Sequence, residues 1–207
     1  INMSLILFNI FKRLIDMVVS IAIFLPVIII IFIFCIIIVL ESRGNPIFIQ
    51  KRIGKNGKKF NIIKLRGMYV DSKKRYPELY DFSGNKDLNF YYHYERDPRV
   101  TKVGKFIRQK SIDELPNIFN VLMGNMTLVG PRPEIPEVIQ LYGKYKDKIL
   151  SVKPGITCIS KISGRDILTK EQTILKDIEY INKMSIYLDL KILFITFFKV
   201  ILSKDVF

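Results

Sequence analysis

Asp113 and Glu114 stand side by side in Ser111-Ile-Asp-Glu-Leu-Pro-Asn117, within a stretch whose other charged residues are all positive. Adjacent carboxylates in such company have two uses. They can open a helix, with Ser111 and Glu114 as a capping box and Pro116 in the first turn. Alternatively they can do chemistry, as a nucleophile and its partner at a metal or a phosphate. A helix N-terminus at this point would keep Asp113 ionised and offer free amides to a phosphate. Because two anions repel, a phosphorylated substrate beside Asp113 needs cations. The sequence offers Arg108, Arg132 in Gly130-Pro-Arg-Pro133, Arg165 in Ser163-Gly-Arg165, and Lys64 with Arg66. Arginine's planar fork suits phosphate oxygens.

Other chemistries have little support. His93 is the only histidine, so a Ser-His-Asp or Cys-His system would rest on one residue in a poorly patterned stretch. Cys35 and Cys158 are the only cysteines and lie far apart, which supplies neither a zinc site nor a disulfide framework. The sequence has no phosphate-binding loop, no G-x-G-x-x-G and no Asp-x-Asp pair.

The elements that must hold these residues begin with an apolar run. The chain has 207 residues and a net charge of +14, yet Met17 to Leu40 carries no charge at all. As one helix it would be about 36 Å long, against a hydrocarbon core of about 30 Å. Glu41-Ser-Arg-Gly44 offers no small-residue cleavage site, so the segment is expected to be a membrane element rather than a signal peptide. Pro26 should break it, leaving about 14 Å before and about 22 Å after, neither enough to cross alone. Lys12 and Arg13 precede the run and Arg43, Lys51 and Arg52 follow it, so both flanks favour the cytoplasmic side. Charge alone favours a re-entrant helix only slightly over a kinked spanning one. At the other end, Ser185, Asp189, Thr196, Lys199 and Ser203 recur at helical spacing among Ile, Leu and Phe. That pattern fits an interfacial helix or an ordinary helix packed on the domain about equally well.

Ile47 to Ile53 and Phe60 to Arg66 flank Asn56-Gly57, a strong hairpin signal, and alternation puts Lys64 and Arg66 on one face. Residues 71 to 92 read as a loop with short helical pieces. Helices are expected over Val103 to Lys110, from the acidic pair to near Gly124, and from Pro136 toward Leu150. The fold class is α+β. Residues 1–44 are expected to form a membrane-embedded helix, re-entrant by that slight preference and broken at Pro26, with its lead-in. Residues 45–207 are expected to form one mostly helical domain, the catalytic one if the acidic pair does chemistry, with a β-hairpin and amphipathic helices that are interfacial or packed on the domain.

The run DPRVTKVGKFIRQKSIDELPNIFNVLMGNMTLVGPRPE, Asp97 to Glu134, closely resembles the signature of the bacterial sugar transferases, the small monotopic phosphoglycosyl transferases. Lys12-Arg-Leu-Ile-Asp16, the hairpin PIFIQKRIGKNGKKFNIIKLRGM, Lys153-Pro-Gly-Ile-Thr157, Ser163-Gly-Arg165 and Asp177-Ile-Glu-Tyr180 resemble further blocks of that family, in order. The resemblance implies transfer of a sugar 1-phosphate from a UDP-sugar to undecaprenyl (polyprenyl) phosphate, with Mg²⁺ and release of UMP. It implies Asp113 as nucleophile, forming a phosphosugar-aspartyl intermediate, and Glu114 as its partner, both at the metal. Arg108, Arg132 and Arg165 would hold phosphates, with Lys64 and Asp177 completing the site. It further implies a re-entrant helix on the cytoplasmic face of the bacterial inner membrane, in contact with membrane lipids. No nucleic acid partner is expected.

Some positions depart from the family pattern. Leu25 stands where serine often precedes the helix-breaking proline, and Gly67 where threonine is common. After Pro154-Gly-Ile-Thr157 the family usually continues with glycine, then often an aromatic, then glutamine, where this chain has Cys158, Ser160 and Lys161. These changes bear on sugar or base selection more than on the reaction. A different class of function, a membrane-anchored basic module binding anionic lipid or nucleic acid without catalysis, is compatible with the charge and the 10 tyrosines. Carboxylates set among its arginines would repel such a ligand.

Overall fold

The structure is a computed structural model and describes residues 3–80, 97–164 and 168–202. Its apolar N-terminal run folds as two helices. Helix α1 (Met3–Ala22) ends, and α2 (Phe24–Glu41) begins, at Ile23, whose φ of −93° and ψ of −1° fall outside regular helix. Pro26 therefore lies in the first turn of α2, where its missing N–H would be unpaired in any helix. The break precedes the proline because the ring clashes with the turn before it, not the turn after. With 18 residues, α2 is about 27 Å long, more than the length expected beyond Pro26. It is the one helix among the described residues long and apolar enough to cross a membrane, by length and composition.

One stripe of α2 is buried. Val27, Ile31 and Ile38 recur at helical spacing and pack with Leu65, Ile107 and Ile118 of the domain. The opposite side, including Ile29, Phe32, Ile33, Ile36 and Leu40, is exposed. Helix α1 is tied down by polar contacts instead. Asp16 accepts hydrogen bonds from Thr127 Oγ1 at 2.6 Å and Leu128 N at 2.9 Å. Arg13 donates to the carbonyls of Val121 and Leu122 at 2.6 and 3.0 Å, and Lys12 donates to the Val129 carbonyl at 2.9 Å and pairs with Asp189.

Strands β1 (Ile47–Ile53) and β2 (Lys59–Leu65) form the antiparallel hairpin, with Phe48 opposite Lys64 and Ile53 opposite Lys59. Asn56 and Gly57 take positive φ in the turn, the conformation an Asn-Gly pair supplies at least cost. After α3 (Ser72–Arg75) and a 3₁₀ turn over Pro77–Tyr80, the remainder of the expected loop, with His93, lies outside the described residues. Helix α4 (Lys102–Gln109) is capped by Thr101, whose side chain accepts from the Gly104 N–H. A Cβ on Gly104 would sit 1.9 Å from the Gly67 carbonyl oxygen, so only glycine lets α4 lie against the chain leaving β2.

Then come α5 (Asn117–Leu122), β3 (Thr127–Val129), α6 (Pro136–Ile139), α7 (Lys146–Leu150) and β4 (Gly155–Thr157). The single helix expected from Pro136 toward Leu150 is divided, because Gly143 adopts φ 48° and ψ −123° between its halves. Strand β4 runs parallel to β3, pairing Thr127 with Gly155 and Val129 with Thr157. After α8 (Ile159–Ile162), a capping box of Thr169 and Gln172 starts α9 (Lys170–Lys183), and α10 (Ile186–Leu202) ends the described chain. The larger core gathers Ile53, Val121, Met126, Leu128, Val129, Val138, Ile174 and Ile192. Among the described residues, two small sheets set among helices make the fold α+β, as the sequence pattern predicts.

Helix α10 turns Asp189 and Thr196 inward beside the buried Ile192, while Lys191 is exposed. Asp189 is 4% exposed and accepts from Tyr180 at 2.6 Å, and Thr196 shares a hydrogen bond with Thr157 at 2.7 Å. Tyr187, Leu190, Phe194 and Phe197 face outward.

Candidate active site

Ser111 adopts a left-handed φ of 53° and its side chain caps nothing. The acidic pair lies on a single 3₁₀ turn, Ile112–Glu114, and α5 starts only at Asn117 and has six residues. The expected capping box is therefore not formed, and so short a helix brings little dipole to Asp113. The physical reason is the partners Glu114 finds elsewhere. Its Oε1 receives Lys64 Nζ at 2.8 Å and an Arg132 guanidinium nitrogen at 3.3 Å, and its Oε2 receives Lys161 Nζ at 2.8 Å. Glu114 is 8% exposed, so these are sheltered ion pairs. Three elements deliver them: strand β2 brings Lys64, the loop after β3 brings Arg132, and the one-turn helix α8 brings Lys161.

Asp113 is held differently. It is half-buried and accepts no hydrogen bond from the described residues. Burial pushes its carboxyl above the usual carboxylate range, Lys64, Lys161 and Arg108 pull it back, and Glu114 adds to the rise. Arg108, in the last turn of α4, is partly exposed, its guanidinium makes no hydrogen bond to the described residues, and it is close enough to act electrostatically on both Asp97 and Asp113. Burial lowers the Lys64 ammonium against the opposing pull of Glu114. Burial also works against Arg132, but Glu114 and Glu134 outweigh it, so its guanidinium stays charged. Lys64, Arg108, Arg132 and Lys161 thus surround two carboxylates, a surplus of positive charge suited to a diphosphate.

The remaining expected site residues lie elsewhere. Arg66 follows the last residue of β2, and its guanidinium reaches the carbonyls of Ser42 and Arg43 at the end of α2 rather than the acidic pair. Asp177, 4% exposed on α9, accepts from Ser160 Oγ at 2.9 Å and from the Arg132 backbone N–H at 3.2 Å, so its contact is with the Gly130 to Pro133 loop that carries Arg132. Arg165 lies outside the described residues.

Sequence reasoning did not place Lys161 in the cluster, although it marked the residue as unusual. It also missed the buried Glu134–Lys170 pair. Burial would raise Glu134, but Lys170 and Arg52 more than offset it and hold the carboxyl below its usual range. Ile53 N donates to the Glu134 carbonyl at 2.9 Å, so this pair fastens the Arg132 loop between the hairpin and α9. The signal available was the acid at the end of Gly130-Pro-Arg-Pro-Glu134, an unneeded charge unless something buried answers it.

Among the described residues no group of three or more His, Cys, Asp or Glu could form a metal cage. Adjacent Asp113 and Glu114 fit a Mg²⁺ ion that takes one or two carboxylates and completes its sphere with phosphate oxygens and water.

Asp177 carries a pH prediction. Burial raises it to about 6 from 3.8, opposed by its hydrogen bonds from Ser160 and Arg132. The unfolded chain loses this proton first, so between the two values the folded state holds more protons, and this contribution to stability falls as pH rises through about 6. Asp177→Asn keeps the shape, with its amide oxygen accepting from Arg132 N–H and its amide nitrogen donating to Ser160. Thermal melts should show wild type losing stability relative to this variant between pH 4.5 and pH 7.5. A difference that stays constant across that range would rule the assignment out.

A family model described as bacterial sugar transferase matches residues 7–203. Among curated proteins, the chain is 43% identical over 164 residues to the galactosyl transferase CpsE of Streptococcus agalactiae serotype III, covering 79% of this chain and 36% of that protein. It is 37% identical over 207 residues to an undecaprenyl-phosphate glucose phosphotransferase of Komagataeibacter xylinus, covering 95% of this chain and 37% of that protein. Over 198 residues it is 37% identical to the uncharacterised sugar transferase EpsL of Bacillus subtilis, covering 95% of this chain and 90% of EpsL. The chain thus spans well under half the length of the first two relatives and nearly all of the third.

Proposed function

This chain belongs to the bacterial sugar transferase family, and from that premise we propose that it transfers a sugar 1-phosphate from a UDP-sugar to undecaprenyl (polyprenyl) phosphate. The observation that carries this reading is the contrast within the acidic pair. Glu114 is clamped by Lys64, Arg132 and Lys161, while Asp113 accepts no hydrogen bond from the described residues and stands ready for an electrophile. A carboxylate oxygen of Asp113 attacks the sugar-bearing phosphorus, and the bond to the other phosphate breaks, so that UMP departs with the electron pair. An oxygen of the lipid phosphate then attacks the same phosphorus and restores the carboxylate. The covalent intermediate splits one difficult displacement into two easier ones, with UMP released before the lipid phosphate attacks. Arg108, Arg132 and Lys64 bind the phosphates and neutralise the charge that develops on the leaving UMP. Mg²⁺, for which Asp113 and Glu114 are the donors, supplies further charge neutralisation when bound. The relatives' names, one for galactosyl transfer and one for undecaprenyl phosphate and glucose, support a hexose donor and a lipid acceptor.

The reaction site belongs at the cytoplasmic face of the inner membrane, with α1 and α2 re-entrant. The packing of α2 supports this: its buried stripe from Val27 to Ile38 leans on Leu65, Ile107 and Ile118, so a spanning α2 would drag domain residues into hydrocarbon. The outward aromatics of α10, Phe194 and Phe197, fit the same interface. Asn9→Cys and Asn45→Cys should both resist an impermeant external thiol reagent in intact cells. Labelling of Asn9→Cys alone would mean that the segment spans.

The deciding experiment supplies purified protein with undecaprenyl phosphate, Mg²⁺ and a panel of UDP-sugars, and measures UMP. Release that requires both lipid and one member of the panel supports the reading. No release with any member, from protein shown to be folded, rejects it.

A further inference from the structure

Both carboxylate oxygens of Glu114 are engaged by cations. Oε1 is shared by Lys64 and Arg132, which sit on β2 and on a loop fastened by the Glu134–Lys170 pair. Oε2 is held by Lys161 at 2.8 Å, from a helix of four residues, α8. A divalent cation using Glu114 must find a free lone pair, and approaching Oε2 brings it against the Lys161 ammonium. Two cations do not share such a site without large repulsion in a sheltered environment. Lys161 is also the lysine of the site carried by a one-turn helix rather than by the paired hairpin strand that carries Lys64.

We infer that Lys161 and a divalent cation are alternative occupants of Glu114 Oε2, and that the displaced ammonium moves onto the diphosphate that arrives with the metal. Lys161 is then a positioning residue that sets how tightly the site takes its metal. It keeps Glu114 neutralised beforehand and hands over the carboxylate without leaving a buried anion unpaired. The inference rests on the metal assignment of the proposed function.

Its test reads binding, not turnover. Mn²⁺ is titrated into the full chain in detergent, and free ion is followed by electron paramagnetic resonance. Lys161→Gln keeps a hydrogen-bond donor for Oε2 and removes the charge, so it should bind Mn²⁺ at least tenfold more tightly than wild type. Lys161→Arg should match wild type, and Glu114→Gln introduced into the Lys161→Gln protein should abolish the gain. Thermal melts of each protein establish that the comparison is between folded species, and Lys161→Met substitutes should Lys161→Gln fail to fold. Equal or weaker Mn²⁺ binding by a folded, charge-removed variant overturns the inference, as does a gain that survives loss of Glu114. Failure here with UMP release intact in the lipid assay leaves the transferase reading standing, so the two are separable.

Discussion

Asp113→Asn protein will remain folded and will lose turnover by about 10³-fold or more, the scale on which removal of an essential nucleophile is felt. Wild-type protein given its UDP-sugar and Mg²⁺ without lipid should release UMP up to about one equivalent and gain the mass of a phosphosugar. The variant should do neither. Its folding should not suffer, because Asp113 accepts no hydrogen bond from the described residues that the change could break. Burial raises the Asp113 carboxyl above its ordinary value, so the ionised side chain disfavours the folded state above the usual carboxylate range. The neutral amide removes that cost, and the variant should melt at or above the wild-type temperature at pH 7, with the advantage lost in acid. Loss of function with a gain of stability is what a strained catalytic group predicts. A folded Asp113→Asn protein turning over near the normal rate would end the nucleophile assignment, and unmodified wild type during active turnover would favour direct transfer.

Much of the scaffold follows from local rules. The Asn56-Gly57 turn, the apolar run and the start of α4 are each dictated by residues within a few positions of one another. What local rules could not give is the partner of a charge. Ser111-x-x-Glu114 satisfies a capping box on paper, yet Lys64 and Lys161, each about fifty residues away, compete for the same carboxylate and win. Three charge-assisted contacts in a sheltered site outweigh one cap, and Ser111 goes to a left-handed φ as the chain turns Glu114 toward them. Lys12 and Arg13 were legible as positive flanks but not as anchors. With Asp16 they bind β3, α5 and α10, so the charges that flank the apolar run also fasten α1 to the domain.

Alternation along β2 grouped Lys64 with Arg66, but the strand ends between them at Leu65. Beyond that point the period of 2 no longer applies, and Arg66 answers the unpaired carbonyls following α2. Helix α10 buries Ile192 as its spacing predicts, but it also carries Asp189 and Thr196 on the inner side. Periodicity finds the stripe but not its direction, because Asp189 is drawn inward by Lys12 and Tyr180. Phe194 and Phe197 stay exposed on the outer side with Leu190 and Lys191.

Glu114→Gln will cost both activity and stability, and the second loss separates the observed site from a mere helix cap. A cap exchange of Glu for Gln preserves most of its hydrogen bonding and would leave stability nearly unchanged. Here the carboxylate answers Lys64, Arg132 and Lys161 at once, with the glutamate only 8% exposed. Removing the charge takes the ion-pair partner at Glu114 from three cations, and even with one amide oxygen kept as acceptor the cost should be about 2 to 4 kcal/mol. A melting temperature lower by roughly 5 to 15 °C is the corresponding shift. Burial already lowers the Lys64 ammonium, and Glu114 is the largest influence resisting it, so Lys64 loses its charge more readily in the variant and serves phosphate less well. Turnover should fall by about 10²-fold or more, as the electrostatic support for the transferred phosphate is lost. The fall should be larger at high pH, where the unsupported lysine is neutral. Comparing the melting curve and the pH dependence of turnover of this variant with wild type checks both. An unchanged melting temperature with near-normal turnover would return Glu114 to a structural role and leave Lys64, Arg132 and Lys161 without the anion that gathers them.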